Sequence, residues 1–127
     1  MVAQQSADFD RNKAMEVMET IMQANPEIDA VFCGNDAMAL GAYQAILSAG
    51  KANKIKVFGF DGSKDAIDGI ASGKIAATVM QFPVLMSRIS AELADQYIKG
   101  KRNFRTRTPV EVVLVTPENV SKYQKTN

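Results

Sequence analysis

The chain has 127 residues, of which 46% are hydrophobic, and its 15 basic and 14 acidic side chains give a net charge of +1. That length suits one domain with a real core, and the near-neutral balance provides no strong field to attract nucleic acid or anionic lipid. Histidine is absent and Cys33 is the single cysteine, which excludes His-dependent triads, His/Cys metal clusters and internal disulfides.

No apolar run approaches the ~20 residues of a membrane span. Met1-Val2-Ala3-Gln4-Gln5 shows neither the basic nor the apolar region of a signal peptide. A first helix is expected over Asp10–Gln23, with Ala14, Val17, Met18, Ile21 and Met22 on one stripe. Asp10 caps it and Asn25-Pro26 stops it. Ala30–Cys33 follows as a strand, with Cys33 read as a small buried hydrophobe. The next helix covers Ala37–Ala49, with Met38, Ala42, Ala45, Ile46 and Ala49 inward and Gly50 as its left-handed stop. Ile55–Phe60 is nearly all apolar and fits a strand buried on both faces. Asp65–Ser72 reads as a short helix ended by Gly73, and Ile75–Met80 as another strand. Pro83 suits the first turn of a longer helix to Lys99, closed by Gly100. Val110–Val115 is the last strand, and Lys122–Asn127 reads as a frayed polar tail. Alternating strands and helices point to an α/β fold on a parallel sheet.

Three of these strands end in hydrogen-bonding side chains, at Cys33-Gly34-Asn35-Asp36, Gly59-Phe60-Asp61-Gly62 and Met80-Gln81-Phe82-Pro83. In a parallel sheet the carboxyl ends share one edge, where open α/β folds bind ligands. Each residue also has a plain structural role open to it: an N-cap pair for Asn35-Asp36, a tight turn for Asp61-Gly62, an exposed strand end for Gln81. Together they make a set of donors and acceptors suited to hydroxyl groups, which both donate and accept. Asp61 can accept two hydroxyl protons in charge-assisted bonds. Phe9, just before the first helix, offers an aromatic face for a sugar ring; packing onto the helix's first turn is the alternative.

Carboxylates are available at Asp8, Asp10, Asp36, Asp61 and Asp65. No phosphate loop or nucleophile elbow accompanies them, so binding is expected and an enzyme is not. Lys99, Lys101, Arg102, Arg105 and Arg107 cluster around Gly100 and Phe104. Cations there complement a helix C-terminus, which is a cheaper explanation than a nucleic-acid patch.

Gln5–Arg11, Ala30–Ala42, Val57–Gly62 and Gly73–Pro83 carry a resemblance to a known family. The chain from Gln5 to Val115 resembles the C-terminal half of periplasmic sugar-binding proteins of bacterial ABC transporters, of the ribose-binding type. The resemblance implies a three-layer αβα sheet, the incomplete second lobe of a type I periplasmic binding protein. It implies that Phe9, Asn35, Asp61 and Gln81 line a monosaccharide pocket, without cofactor or metal. It also implies a hinge at Gln81-Phe82-Pro83, about which two lobes close. Residues 1–81 and 108–127 would form part of the C-terminal lobe, and 82–107 a crossing whose helix packs on the missing N-terminal lobe. The expected partners are that lobe and an ABC permease, not nucleic acid, in a periplasmic or other extracytoplasmic location. The effector core of sugar-responsive repressors shares the fold and is the alternative.

A fragment of this kind has a physical difficulty. Leu85, Met86, Ile89, Leu93 and Tyr97 share one broad helical face. Burying such a side chain is worth roughly 1.5–3 kcal/mol, which is large against a domain stability of about 5–15 kcal/mol. The helix is therefore expected to fold back on its own sheet or to exchange within a homodimer.

Overall fold

The computed structural model describes residues 1–124. Four helices and four strands follow in the order α1 (Arg11–Ala24), β1 (Ala30–Phe32), α2 (Asp36–Ser48), β2 (Lys56–Asp61), α3 (Lys64–Ala71), β3 (Ala77–Met80), α4 (Pro83–Ile98) and β4 (Val113–Val115). Polar caps fix the helix starts. Asp10, Asn35 and Ser63 each accept a backbone N–H three residues on, from Lys13, Met38 and Ala66. Gly50, Gly73 and Gly100 take positive φ just past α2, α3 and α4, as expected of helix stops.

The sheet order is β1-β2-β3-β4. β1, β2 and β3 run parallel, with Val31 beside Val57 and Gly59 beside Thr78. β4 corrects the expectation of a fully parallel sheet: it runs antiparallel to β3, with Met80 beside Val113. The chain leaves the sheet after β3 through α4 and returns directly alongside, so no crossover reverses its direction.

Val57, Gly59, Thr78 and Val115 are buried on one face of the sheet. A Cβ at Gly59 would meet Asp36 and Ala39 of α2, so this face looks toward the helices. α1 packs on α2, and α2 on α3. Met18, Ala42, Ile46, Ile67, Ile70 and Ile75 fill the core. The opposite face is open: Phe32 is 67% exposed, Leu114 55% exposed, and Phe58 and Phe60 are half-buried. β2 is thus sealed on one face only, contrary to the burial on both faces that its apolar run suggests. Of the three expected layers, the described residues build the sheet and one helical layer.

Two further expectations are corrected. α4 does not fold back on the sheet, since none of its residues is buried. The end of the chain is not simply frayed. Val120–Lys122 forms a 3-10 turn, Val120 is buried, and Tyr123 packs on the core. Asn119 holds this return by accepting from the Thr116 amide at 2.9 Å and donating to the Leu114 carbonyl at 3.0 Å. Residues 125–127 of the expected tail lie outside the described residues.

The basic cluster is engaged locally in part. The Arg102 guanidinium lies 4.5 Å from the Tyr97 ring centre and donates to the Tyr97 carbonyl at 2.7 Å, satisfying an end of α4. Lys101 lies 5.2 Å from the centre of the Phe104 ring.

Candidate functional site

The carboxyl ends of β1, β2 and β3 lie on one sheet edge because the three strands are parallel. Asn35 follows β1 and Asp61 ends β2, while Gln81 follows β3. Asp61 and Gln81 are joined directly: Gln81 Nε2 donates to Asp61 Oδ1 at 2.8 Å, and the Gln81 amide to the Asp61 carbonyl at 3.0 Å. Asn35 does two jobs. Its Oδ1 accepts from the Met38 amide at 2.8 Å, and its Nδ2 makes a long 3.4 Å contact to the Phe9 carbonyl. The structure therefore brings the four expected residues together as two bonded pairs on the same edge. Among the described residues no hydrogen bond links one pair to the other.

Asp8, Phe9 and Asp61 have positive φ values of 51°, 57° and 124°, conformations that L-residues adopt at a cost. At Asp8 and Phe9 this turn lifts the aromatic ring off α1. Phe9 is 69% exposed, so it does not staple the helix. A Cβ at Gly34 would sit 3.8 Å from the Phe9 ring, which places that ring over the end of β1. Ser6 supports the turn by donating to Asp8 at 2.7 Å, and Lys13 pairs with the same carboxylate. Lys13 first, then Ser6, holds the Asp8 carboxyl below its ordinary value.

A hollow of about 420 Å³ opens beside Asp61 and Gln81, with Pro83, Met86 and Ser87 as its other walls. Small-molecule pockets commonly enclose about 300–1,000 Å³. A larger hollow of about 860 Å³ flanks the edge strand β1, walled by residues 1–9 and by Val17, Ile21, Ile28 and Phe32. Its lining is mainly apolar, with Gln4, Gln5, Ser6 and Asp8 as the polar part. That is the signature of an uncovered sheet edge, because a polar solute needs converging donors and acceptors. Val17 and Ile21, expected in the buried stripe of α1, face this hollow.

Cys33 is buried, and burial pushes its thiol up to about 11. At neutral pH it is therefore a protonated, small apolar group and no nucleophile. Among the described residues no cluster of three potential metal ligands occurs.

Asp36, which the sequence shows only as a cap residue and an available carboxylate, is a buried and fully bonded polar residue of this edge. It is 1% exposed and receives Thr78 Oγ1 and the Ser63 amide, both at 2.6 Å. The available signal was Thr78, a hydroxyl inside the apolar run Ala76-Ala77-Thr78-Val79. A buried hydroxyl requires a partner.

Residues 1–102 match the model of a periplasmic binding protein domain, and the chain belongs to this family. It is 50% identical over 106 residues to the ribose import binding protein RbsB of Bacillus subtilis, covering 84% of this chain and 34% of that protein. It is 46% identical over 121 residues to the D-allose-binding periplasmic protein of Escherichia coli, covering 91% and 39%. Among solved structures, an ABC transporter periplasmic solute binding protein from Actinobacillus succinogenes with bound D-allose matches with a TM-score of 0.89. That match has 36% identity and covers 97% of this chain and 43% of the other. The chain therefore spans only 34–43% of the length of these relatives. Its fold is that of a type I periplasmic binding protein lobe, incomplete.

Proposed function

We propose that the chain forms part of one lobe of a monosaccharide-binding component of an ABC importer, working outside the cytoplasm. Phe9 covers the apolar face of the sugar, while Asn35, Asp61 and Gln81 bond its hydroxyls. The observation that carries this reading is the alignment of both bonded pairs on one sheet edge, with an open hollow beside Asp61 and Gln81. The names of the relatives support a sugar as the solute, with ribose and allose as first candidates.

Half a pocket binds with about half the free energy. If a complete site held ribose at ~1 μM, this chain alone should hold it at about 1 mM or more weakly. Titration with ribose and D-allose, followed through the side-chain amide resonances of Asn35 and Gln81, should give saturable millimolar shifts. Shifts no larger than those caused by a non-sugar polyol would refute the reading.

Residues 82–107, by this proposal, cross to the other lobe, with Gln81-Phe82-Pro83 as the hinge. α4 supports it: Val84, Met86, Tyr97 and Ile98 are exposed and no residue of the helix is buried. In the full assembly α4 packs on that lobe, which in turn meets the permease. Alone, the chain should pair through α4 into a dimer. Sedimentation at rising concentration should show self-association, and a strict monomer with rapidly exchanging α4 amides would contradict it.

A further inference from the structure

We propose that Asp36 is a positioning residue that holds the three strand ends of the candidate site in common register; this rests on the sugar-binding reading of that edge. The carboxylate sits in the first turn of α2, immediately after Asn35. One oxygen receives the hydroxyl of Thr78 at 2.6 Å, three residues before Gln81 on the same strand. The other receives the amide of Ser63 at 2.6 Å, two residues after Asp61. One buried group thus ties together the elements that present Asn35, Asp61 and Gln81.

The surroundings are built around it. Thr78 is 0% exposed and Asp36 1%, so neither bond can be exchanged for water without opening the core. A Cβ at Gly59 would lie 2.3 Å from Asp36 Oδ1, so the absence of a side chain there makes room for the carboxylate. Among the described residues no cation bonds it, and the two donors are the Thr78 hydroxyl and the Ser63 amide. Among the described residues no buried side-chain nitrogen or oxygen lacks a partner, which includes Asp36 and Thr78.

Two small changes separate positioning from mere stability. T78V keeps the volume of the strand residue and removes one donor. D36N keeps the shape, retains the Ser63 bond on its oxygen, and turns the other bond around, with its NH2 donating to the Thr78 hydroxyl. D36A removes both bonds and leaves the buried Thr78 hydroxyl and the part-buried Ser63 amide without this partner.

Nitrogen-15 amide and carbon-13 methyl spectra of the full 127-residue chain would read the effect without any ligand. T78V should displace the side-chain amides of Asn35 and Gln81 and the backbone amides of Asp61 and Gly62, while the methyls of Ile46 and Ile70 stay in place. D36N should recover most of the positions lost in D36A. In ribose titrations T78V should bind about tenfold more weakly. Unmoved Asn35, Gln81 and Asp61 signals in T78V, or displacements spread evenly through the core, would overturn the proposal. Native signals in the wild type with no ribose response would instead sink the sugar-binding reading, leaving the positioning role to be judged by the ligand-free spectra.

Discussion

Gly62→Ala should cost the domain about 3–4 kcal/mol. Two terms contribute. Gly62 has φ +77°, where an L-residue pays about 1–2 kcal/mol. Its added Cβ would also lie 2.6 Å from the Cβ and 2.8 Å from the Cα of Met80. Overpacking against such atoms costs about 1–3 kcal/mol, and Met80 is pinned in the sheet beside Asp61. The thermal midpoint should fall by about 10–15 °C. Gly50→Ala is the control, because Gly50 also has positive φ but meets nothing within 4 Å. Equal losses in the two variants would show that the Met80 contact has no weight.

Gly41→Ala should reverse a familiar sign. In a free helix that change stabilises by about 1 kcal/mol. Here the new Cβ would stand 2.0 Å from the Arg11 carbonyl oxygen and 3.0 Å from its carbon. Backbone atoms cannot rotate aside, so α1 must separate from α2 at its first turn. A net loss of about 2 kcal/mol is expected, read as a lower urea midpoint at unchanged slope. The same shift would carry Phe9, two residues upstream of Arg11, away from Asn35. A neutral or stabilising outcome would mean that the two helices are less tightly joined than this contact implies.

Much of this architecture is legible in the residues because its signals are local. Asp10 and Asn35 cap helices, and Gly50, Gly73 and Gly100 end them; the Ser63 cap is seen only in the structure. Asn35, Asp61 and Gln81 fall on one edge because parallel strands put their carboxyl ends together. What was missed depends on distant pairing. The direction of β4 is set by where α4 returns the chain, and nothing in Val113-Leu114-Val115 records it. The half-burial of Phe58 and Phe60 has the same origin: an apolar run reports what a strand can bury, not which of its faces is covered. Asp36 needed knowledge of Thr78, 42 positions away in sequence. The strand ends point to the candidate residues and the family resemblance agrees with them, but the buried carboxylate beneath them is visible only in the folded structure.

The antiparallel return of β4 makes residues 81–112 an excisable loop in architectural terms. Met80 and Val113 face each other across adjacent strands, a separation of about 5 Å that a two-residue hairpin turn closes. Apart from Gln81, which bonds Asp61, and Phe82, which packs on the core, everything between them, α4 and the basic stretch included, is an excursion from the helical layer, the four strands and the Thr116–Tyr123 return. The lobe thus carries a detachable handle, and a shortened version would stand as a minimal single-lobed scaffold, free of the apolar helix α4.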